Sequence, residues 1–389
     1  MTPPDSHMAP ICIDGRLLSA AGMGSTTYAR NLLAALRESG RAPLLLEDRF
    51  VGAGAKSLAE NVVRWLRARA SGTVRLRPAE SALAARDIFR LAQVRFDASG
   101  DLLSLVPPFA GGVMHWTYPV PIRMEGWANL YTVHDAIPLD LPDLTPIDAG
   151  RHRRLLTAIE AQAARLVTVS DRARLDIAAA MGFAPDRIVN CGQGVEIDEA
   201  PTTSALLEGI SPGRYFLVCG TVERRKNIPR LVEAWRAART GLPLLVVGPD
   251  GFHADEAAAA LANEGVVRIP HSPRADLLAL MRDATALLFP TLAEGFGLPI
   301  VEAMALGTPV MTTRGGATGE VAGDAAALVD PTDIAEMALT IRRLAADPLW
   351  AADLVERGHR RAPAFSRAAF LDRLLPVYDA AIADLARLP

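Results

Sequence analysis

Cysteine and lysine are nearly absent from this chain of 389 residues. The three cysteines, Cys12, Cys191 and Cys219, are odd in number and lie in or beside apolar runs. They form no disulfide framework and show no paired spacing with histidine for zinc, so they read as reduced core residues of a cytoplasmic protein. Lysine occurs only at Lys56 and Lys226 among 41 basic residues, which makes Lys226 conspicuous where it stands. A net charge of −3 provides no global attraction for nucleic acid. No apolar run reaches the roughly 18–20 residues that a membrane span needs. Residues 1–10 are polar and proline-rich with no apolar h-region, so they read as an unstructured lead and not as a secretory signal.

Half of the residues are apolar, which suits sheets buried on both faces, and the length suggests two domains. Short apolar runs alternate with helical patterns. Residues 11–13, 44–46, 103–105, 113–115, 130–133 and 165–169 read as strands, with helices over 27–36, 149–164 and 172–181. The polar segment 196–211, with Pro201, Thr202 and Thr203, has the composition of a linker. A second α/β unit has strands at 215–219, 244–247, 266–269, 286–289, 310–312 and 327–329, then helices from 334 to 388.

The most informative stretch runs from Thr285 to Val310. A buried strand ends at Pro290 and a glycine-rich loop carries Glu294. A short helix then opens at Pro299 and closes at Gly307. The loop and first helical turn leave backbone N–H groups without partners, which is where anions such as phosphate bind. Carboxylates at Glu294 and Glu302 can each accept from both hydroxyls of a vicinal diol. Together they suggest a ligand that combines diphosphate with hydroxyls.

Glu294 and Glu302, with seven residues between them and set in E-G-F-G-L-P-x-x-E-A-M-A-x-G-x-P-V, resemble the E-x7-E signature of the retaining glycosyltransferases of family 4. The segment Gly220-Thr221-Val222-Glu223-Arg224-Arg225-Lys226-Asn227 resembles that family's phosphate-contacting segment. Thr221 stands where an arginine often follows the glycine, so either Arg224 or Arg225 completes the clamp with Lys226, with Arg225 preferred. Residues 130–138, containing His134 and Asp135, are similar to the family's strand-then-His-Asp element. There the histidine faces the donor sugar, and Asp135 is read as orienting the loop or His134. Gly22, Met23 and Gly24 resemble the glycine loop near the diphosphate. Thr168-Val169-Ser170 and Gly192-Gln193-Gly194-Val195 match further landmarks of structural meaning. Arg314 through Glu320 resembles the late loop near the nucleotide base.

The resemblance covers roughly residues 11–331 and implies a GT-B fold, with an N-terminal acceptor-side domain (1–200) and a C-terminal nucleotide-sugar domain (201–366). A terminal helix (367–389) would return to the first domain. It further implies a retaining, metal-independent hexosyltransferase with no cofactor. Lys226, Arg225 and the amides of Gly295, Phe296, Gly297 and Leu298 would hold the diphosphate near Gly220 and Gly24. Glu294 would hold sugar hydroxyls, Glu302 the ribose, His134 the sugar and Glu320 the base region. No D-x-D pair exists for the metal site of the other major glycosyltransferase fold, and the Gly220 loop lacks the G-x-G-x-x-G of a dehydrogenase. GDP-mannose is the expected donor, with a UDP-hexose second. The acceptor is a glycan or a lipid-linked glycan of polysaccharide assembly. Residues 61–77, opening at Asn61 and carrying Arg64, Arg67, Arg69, Arg75 and Arg77, suggest peripheral contact with anionic lipid. The alternatives are a GT-B nucleotide-sugar epimerase or hydrolase, and a non-catalytic nucleotide-sugar binding protein.

Overall fold

The computed structural model of the chain describes residues 9–18, 24–49, 72–197 and 211–387. In the N-terminal half the strands are β1 (Ile11–Asp14), β2 (Leu44–Asp48), β3 (Thr73–Arg75), β4 (Arg77–Pro78), β5 (Ala82–Ala85) and β6 (Leu103–Val106). They continue with β7 (Val113–Trp116), β8 (Ile122–Met124), β9 (Ala128–Thr132), β10 (Arg165–Thr168) and β11 (Ile188–Asn190). Eight of these form one sheet in the order β11-β10-β9-β7-β1-β2-β5-β4, parallel except at β4, while β3, β6 and β8 form a small parallel sheet. The C-terminal half contains β12 (Phe216–Cys219), β13 (Leu244–Val247), β14 (Val266–Ile269), β15 (Ala286–Phe289), β16 (Val310–Thr313) and β17 (Ala327–Val329). Their order is β14-β13-β12-β15-β16-β17, all parallel.

The central strands β12, β13 and β15 are apolar at every position and wholly buried, because helices cover both faces of the sheet. Each half is thus doubly wound, and each has a point where the strand order reverses, between β1 and β7 and between β12 and β15. Ligands of such sheets bind beyond the carboxyl ends of the strands at that reversal. The segments leaving β9, β12 and β15 carry the 134–135, 220–227 and 291–297 stretches, so the topology brings these sequence motifs to two facing crevices.

The helix Arg367–Leu385 returns from the second half to the first. It packs on the helix Gly24–Glu38 and on β7 and β9. Phe370 and Leu374 are fully buried there. Arg367 pairs with Glu38 at 2.7 Å, Arg165 with Asp384 at 2.8 Å, and Arg373 donates to the Cys191 carbonyl at 2.8 Å. His115 lies 2.6 Å from the Tyr378 hydroxyl through Nδ1 and 2.7 Å from Thr132 Oγ1 through Nε2. Burial, helped by the nearby His134, lowers His115 to about 3, so the ring is neutral and offers one donor and one acceptor to these two hydroxyls.

Several expected boundaries move. The helix read over 149–164 stops at Glu160, because Ala164 N already donates to the Asn129 carbonyl as part of the β9–β10 ladder. The helix of the glycine loop begins at Gly24, which stands exposed in its first turn. Of the basic stretch 61–77, residues 61–71 lie outside the described residues, and Arg75 and Arg77 lie on strands and not on a helix. Most of the expected linker, and Gly22 and Met23, also fall outside. Among the described residues no helix is long and apolar enough to cross a membrane. The three cysteines are free and buried, and burial pushes the Cys191 and Cys219 thiols up to about 12.

Replacing Tyr378 with phenylalanine removes one partner of buried His115 while keeping the packing. An unmet buried polar group costs about 1–3 kcal/mol, so Tyr378→Phe should lower the melting temperature by roughly 2–6 °C. A scan of both proteins under identical conditions checks it; an unchanged midpoint would show that the contact does not anchor the helix.

Candidate active site

The second half supplies the charged centre. Residues leaving β12 form a 3-10 turn, Arg224–Lys226, ended by Asn227 in the left-handed region at φ 61°. Asn227 is held there by donating to the Pro290 carbonyl at 3.1 Å and the Pro331 carbonyl at 2.7 Å. The turn aims Lys226 and Arg225 at the loop after β15. One oxygen of Glu294, Oε1, lies 2.6 Å from Lys226 Nζ and 2.6 Å from Arg225 Nη1, and Arg225 Nη2 reaches Glu223 at 2.6 Å. Lys226 Nζ also stands 4.4 Å from the centroid of the Phe289 ring. Arg224 turns away, to Glu256 at 2.8 Å and to the Asp143 carbonyl of the other half at 3.4 Å. Of the two candidate arginines, Arg225 is therefore the one beside Lys226 and Glu294.

Burial dominates the electrostatics of this cluster. It would raise Glu294, but Arg225 and Lys226 overcome it and hold the carboxyl below its usual value. Burial lowers Lys226, and Glu294 only partly offsets this. Burial also works against the Arg225 cation, yet Glu294 and Glu223 more than restore it. An ion pair at this separation is worth a gross attraction of about 6 kcal/mol at an effective dielectric near 20, against a desolvation cost of several kcal/mol per ion. The cluster is thus a poor source of stability and a ready source of cations.

The helix Leu298–Leu306 follows the Glu294 loop. Gly297 caps it at φ 102° without any side-chain hydrogen bond to the first turn. The backbone N–H groups of Gly295, Phe296, Gly297 and Leu298 donate to no described residue. Such a terminus favours an anion. Glu302, 4 % exposed, sits one turn further and pairs with Arg274 at 2.7 Å. A methyl placed on Gly220 would stand 3.5 Å from Lys226 Nζ, so this glycine adjoins the cations.

The first half closes over this centre. A Cβ at Gly295 would lie 2.4 Å from the His134 carbonyl oxygen, so only glycine permits the two backbones to approach. Ser170 Oγ donates to the Gly295 carbonyl at 2.8 Å and accepts from Ala173 N, capping its own helix. His134 Nε2 donates to the Thr117 carbonyl at 3.0 Å, Thr117 N donates to Asp14 Oδ1 at 2.7 Å, and Tyr28 meets the ring edge-on at 5.0 Å. Burial lowers His134 to about 4, so at neutral pH the ring is uncharged and Nδ1 remains an acceptor. Asp135 Oδ1 accepts from Ile137 N at 3.0 Å, which fixes the loop. Burial, only partly countered by Arg225, raises Asp135 to about 6.

The structure thus gathers His134, Arg225, Lys226, Glu294 and residues 295–298, with Glu302 and Gly220 adjoining. Glu320 is employed differently: both of its carboxylate oxygens accept from the first half, from Asp171 N at 2.8 Å and Arg172 N at 2.7 Å. It clasps the two halves together. Sequence reading missed Arg274 and Asp14 as site-shaping residues. The position of Arg274 at the start of the helix following β14, at the crevice edge, is the signal that marks it.

Free amides and paired cations thus line a cleft between two doubly wound halves. The model for the glycosyl transferases group 1 matches residues 208–361. The O-antigen chain mannosyltransferase B of Escherichia coli is 31% identical over 262 residues, which are 64% of this chain and 68% of that protein. The MMP alpha-(1->4)-mannosyltransferase of Mycolicibacterium hassiacum is 38% identical over 134 residues, 32% of this chain and 33% of the relative. The sucrose-phosphate synthase structure from Thermosynechococcus elongatus superposes with a TM-score of 0.70 at 20% identity, covering 97% of this chain and all of that one. The chain belongs to the group 1 glycosyltransferases and has the GT-B fold.

Two predictions come from this geometry. Lys226→Ala and Glu294→Gln should each lower turnover at least tenfold, and wild-type turnover in both would refute their roles. Asp135→Asn keeps the acceptor for Ile137 N. The folded-state pKa of Asp135 lies above the ordinary 3.8, so its ionised form destabilises the fold fully above pH 6 and not at all below pH 4. The variant should melt higher than wild type at pH 7.5, with the gain fading toward pH 4; a gain that grows on acidification would contradict the sign.

Proposed function

We propose that the protein transfers mannose from GDP-mannose to a hydroxyl of a growing glycan, with retention of configuration and without a metal. The observation that carries the reading is the Lys226–Glu294–Arg225 cluster facing His134 beside uncapped amides. In the reaction the bond from sugar C1 to the β-phosphate oxygen breaks, and the bond from C1 to the acceptor oxygen forms on the same face. The acceptor proton passes to the departing β-phosphate. Negative charge grows on that phosphate, where Lys226, Arg225 and the amides of residues 295–298 stabilise it as it develops. These cations supply the charge that a metal would otherwise bring. Glu294 then exchanges its cation contacts for hydroxyls of the sugar, and Glu302 holds the ribose. Neutral His134 accepts from a sugar hydroxyl through Nδ1. The mannosyl assignment draws on the names of the two relatives above and on the His134–Asp135 and Gly220–Asn227 segments.

Ligands bound only by the native state raise its melting temperature. Among GDP-, UDP-, ADP- and dTDP-sugars, GDP-mannose should give the largest rise, and EDTA should leave turnover unchanged. A selective response to another nucleotide would overturn the donor, and chelator-sensitive turnover would overturn metal independence.

A further inference from the structure

A string of buried hydrogen bonds that none of the donor contacts uses leads to His134. It starts on the returning helix Arg367–Leu385, where the Tyr378 hydroxyl lies 2.6 Å from His115 Nδ1. His115 Nε2 lies 2.7 Å from Thr132 Oγ1. Thr132 Oγ1 in turn lies 3.0 Å from the hydroxyl of Tyr28, one turn into the helix Gly24–Glu38. All four side chains are buried, and they join the two helices through β7 and β9. Each polar group in the string meets the next, so none of the four can shift alone without leaving a buried partner unmet.

The string ends against the cleft histidine. The Tyr28 ring stands at 89° to the His134 imidazole with centroids 5.0 Å apart, and it packs on Phe370 of the returning helix at 5.8 Å. Tyr118 lies on His134 at 6.1 Å and only 29° from parallel. Among the described residues the imidazole makes one hydrogen bond, from Nε2 to the Thr117 carbonyl at 3.0 Å. That bond fixes the tautomer but leaves the ring free to turn about it. One perpendicular and one stacked neighbour remove the freedom, and the perpendicular one is itself locked from the far side. Neutral His115 has a single N–H, so it donates to one of its two hydroxyls and accepts from the other. Loss of the Tyr378 hydroxyl leaves a ring nitrogen unmet at the far end of the string.

We propose that Tyr28 is a positioning residue for glycosyl transfer: its ring, fastened through Thr132 and His115 to Tyr378, sets the direction in which His134 presents Nδ1 to the donor sugar. The proposal rests on the glycosyl-transfer reading above, which puts His134 at the sugar, and adds to it the part that orients this histidine. Tyr28 touches no reacting atom and acts only through the imidazole. Phe370 and Tyr378 belong to the segment that returns from the second half, so that segment steadies a site residue on the first.

The test is a double-mutant cycle on GDP release from GDP-mannose with α-linked mannobiose as acceptor. A displaced reacting group costs roughly tenfold or more, so Tyr28→Leu should lower kcat at least tenfold in the wild-type background and less than about twofold in His134→Ala. Damage to the fold alone would lower kcat equally in both backgrounds. Tyr28→Phe keeps the ring against His134 and should recover most of the rate. Tyr378→Phe breaks the string at its far end, and a smaller loss of roughly threefold should again be confined to the wild-type background, which keeps the test open if Tyr28→Leu does not fold. A crystal structure of Tyr28→Leu should show the His134 ring turned and its bond to the Thr117 carbonyl lost. An unmoved ring, or equal losses in the two backgrounds, would overturn the proposal. Wild-type turnover in His134→Ala would instead overturn the placing of His134 at the sugar, and the position of the ring in Tyr28→Leu would still decide whether Tyr28 orients it.

Discussion

One buried carboxylate oxygen, Glu294 Oε1, holds Lys226 and Arg225 at the same 2.6 Å, and the site is organised around it. Without Glu294, buried Lys226 would stand uncompensated and Arg225 would keep only Glu223, which is costly enough to drive the two cations apart. With it they stay charged and close together. Glu223 makes the balance nearly neutral before a donor arrives, so the two cations alone do not favour a doubly negative diphosphate. The uncapped amides of residues 295–298 tip the balance, because they bring partial positive charge without a counter-anion. An anion that displaces Glu294 also frees a carboxylate next to where the sugar hydroxyls would lie. In the proposed reaction, binding the donor and preparing its sugar contact would thereby be one event.

The fold places this centre by topology. In each half the strand order reverses beside the first strand; in the second half the loops at the reversal carry Gly220 and Glu294, and across the cleft His134 follows β9, one strand beyond the reversal of the first half. Closure of the halves is specific. Gly295 accepts Ser170 and lies against the His134 backbone, Glu320 caps the Asp171–Met181 helix, and Arg224 reaches the Asp143 carbonyl. These are hydrogen bonds and one close backbone approach near the cleft edge, and none is a large apolar contact. The Arg367–Leu385 helix, by contrast, is fastened to the first half by buried Phe370, Leu374 and Tyr378. The strongest attachment thus lies away from the cleft and the weaker contacts line it.

Much of this was legible before any coordinates, for physical reasons that differ by element. β12, β13 and β15 are unbroken apolar runs ended by glycine or proline, so strand and loop show together. The Glu294 loop and its helix announce themselves by glycine, proline and spacing. What stayed hidden depended on partners remote in the chain. Glu320 meets Asp171 and Arg172 about 150 positions away, and nothing local distinguishes it from a residue of the nucleotide site. The choice of Arg225 over Arg224 turns on the left-handed Asn227, whose side chain is held from Pro290 and Pro331. Of the sheet of β3, β6 and β8 only β6 was read, because β3 and β8 have three residues each, too few for a periodic signal. His115 looked like one more strand residue until Tyr378 was placed beside it.

The central claim is that Lys226 and Arg225 exist to hold a diphosphate. The most direct measurement is the affinity of GDP relative to GMP, by calorimetry, in the wild type and in Lys226→Met. The account predicts that wild type binds GDP at least tenfold more tightly than GMP and that the ratio collapses toward one in the variant. Equal affinities in wild type, or an unchanged ratio in Lys226→Met, would contradict it.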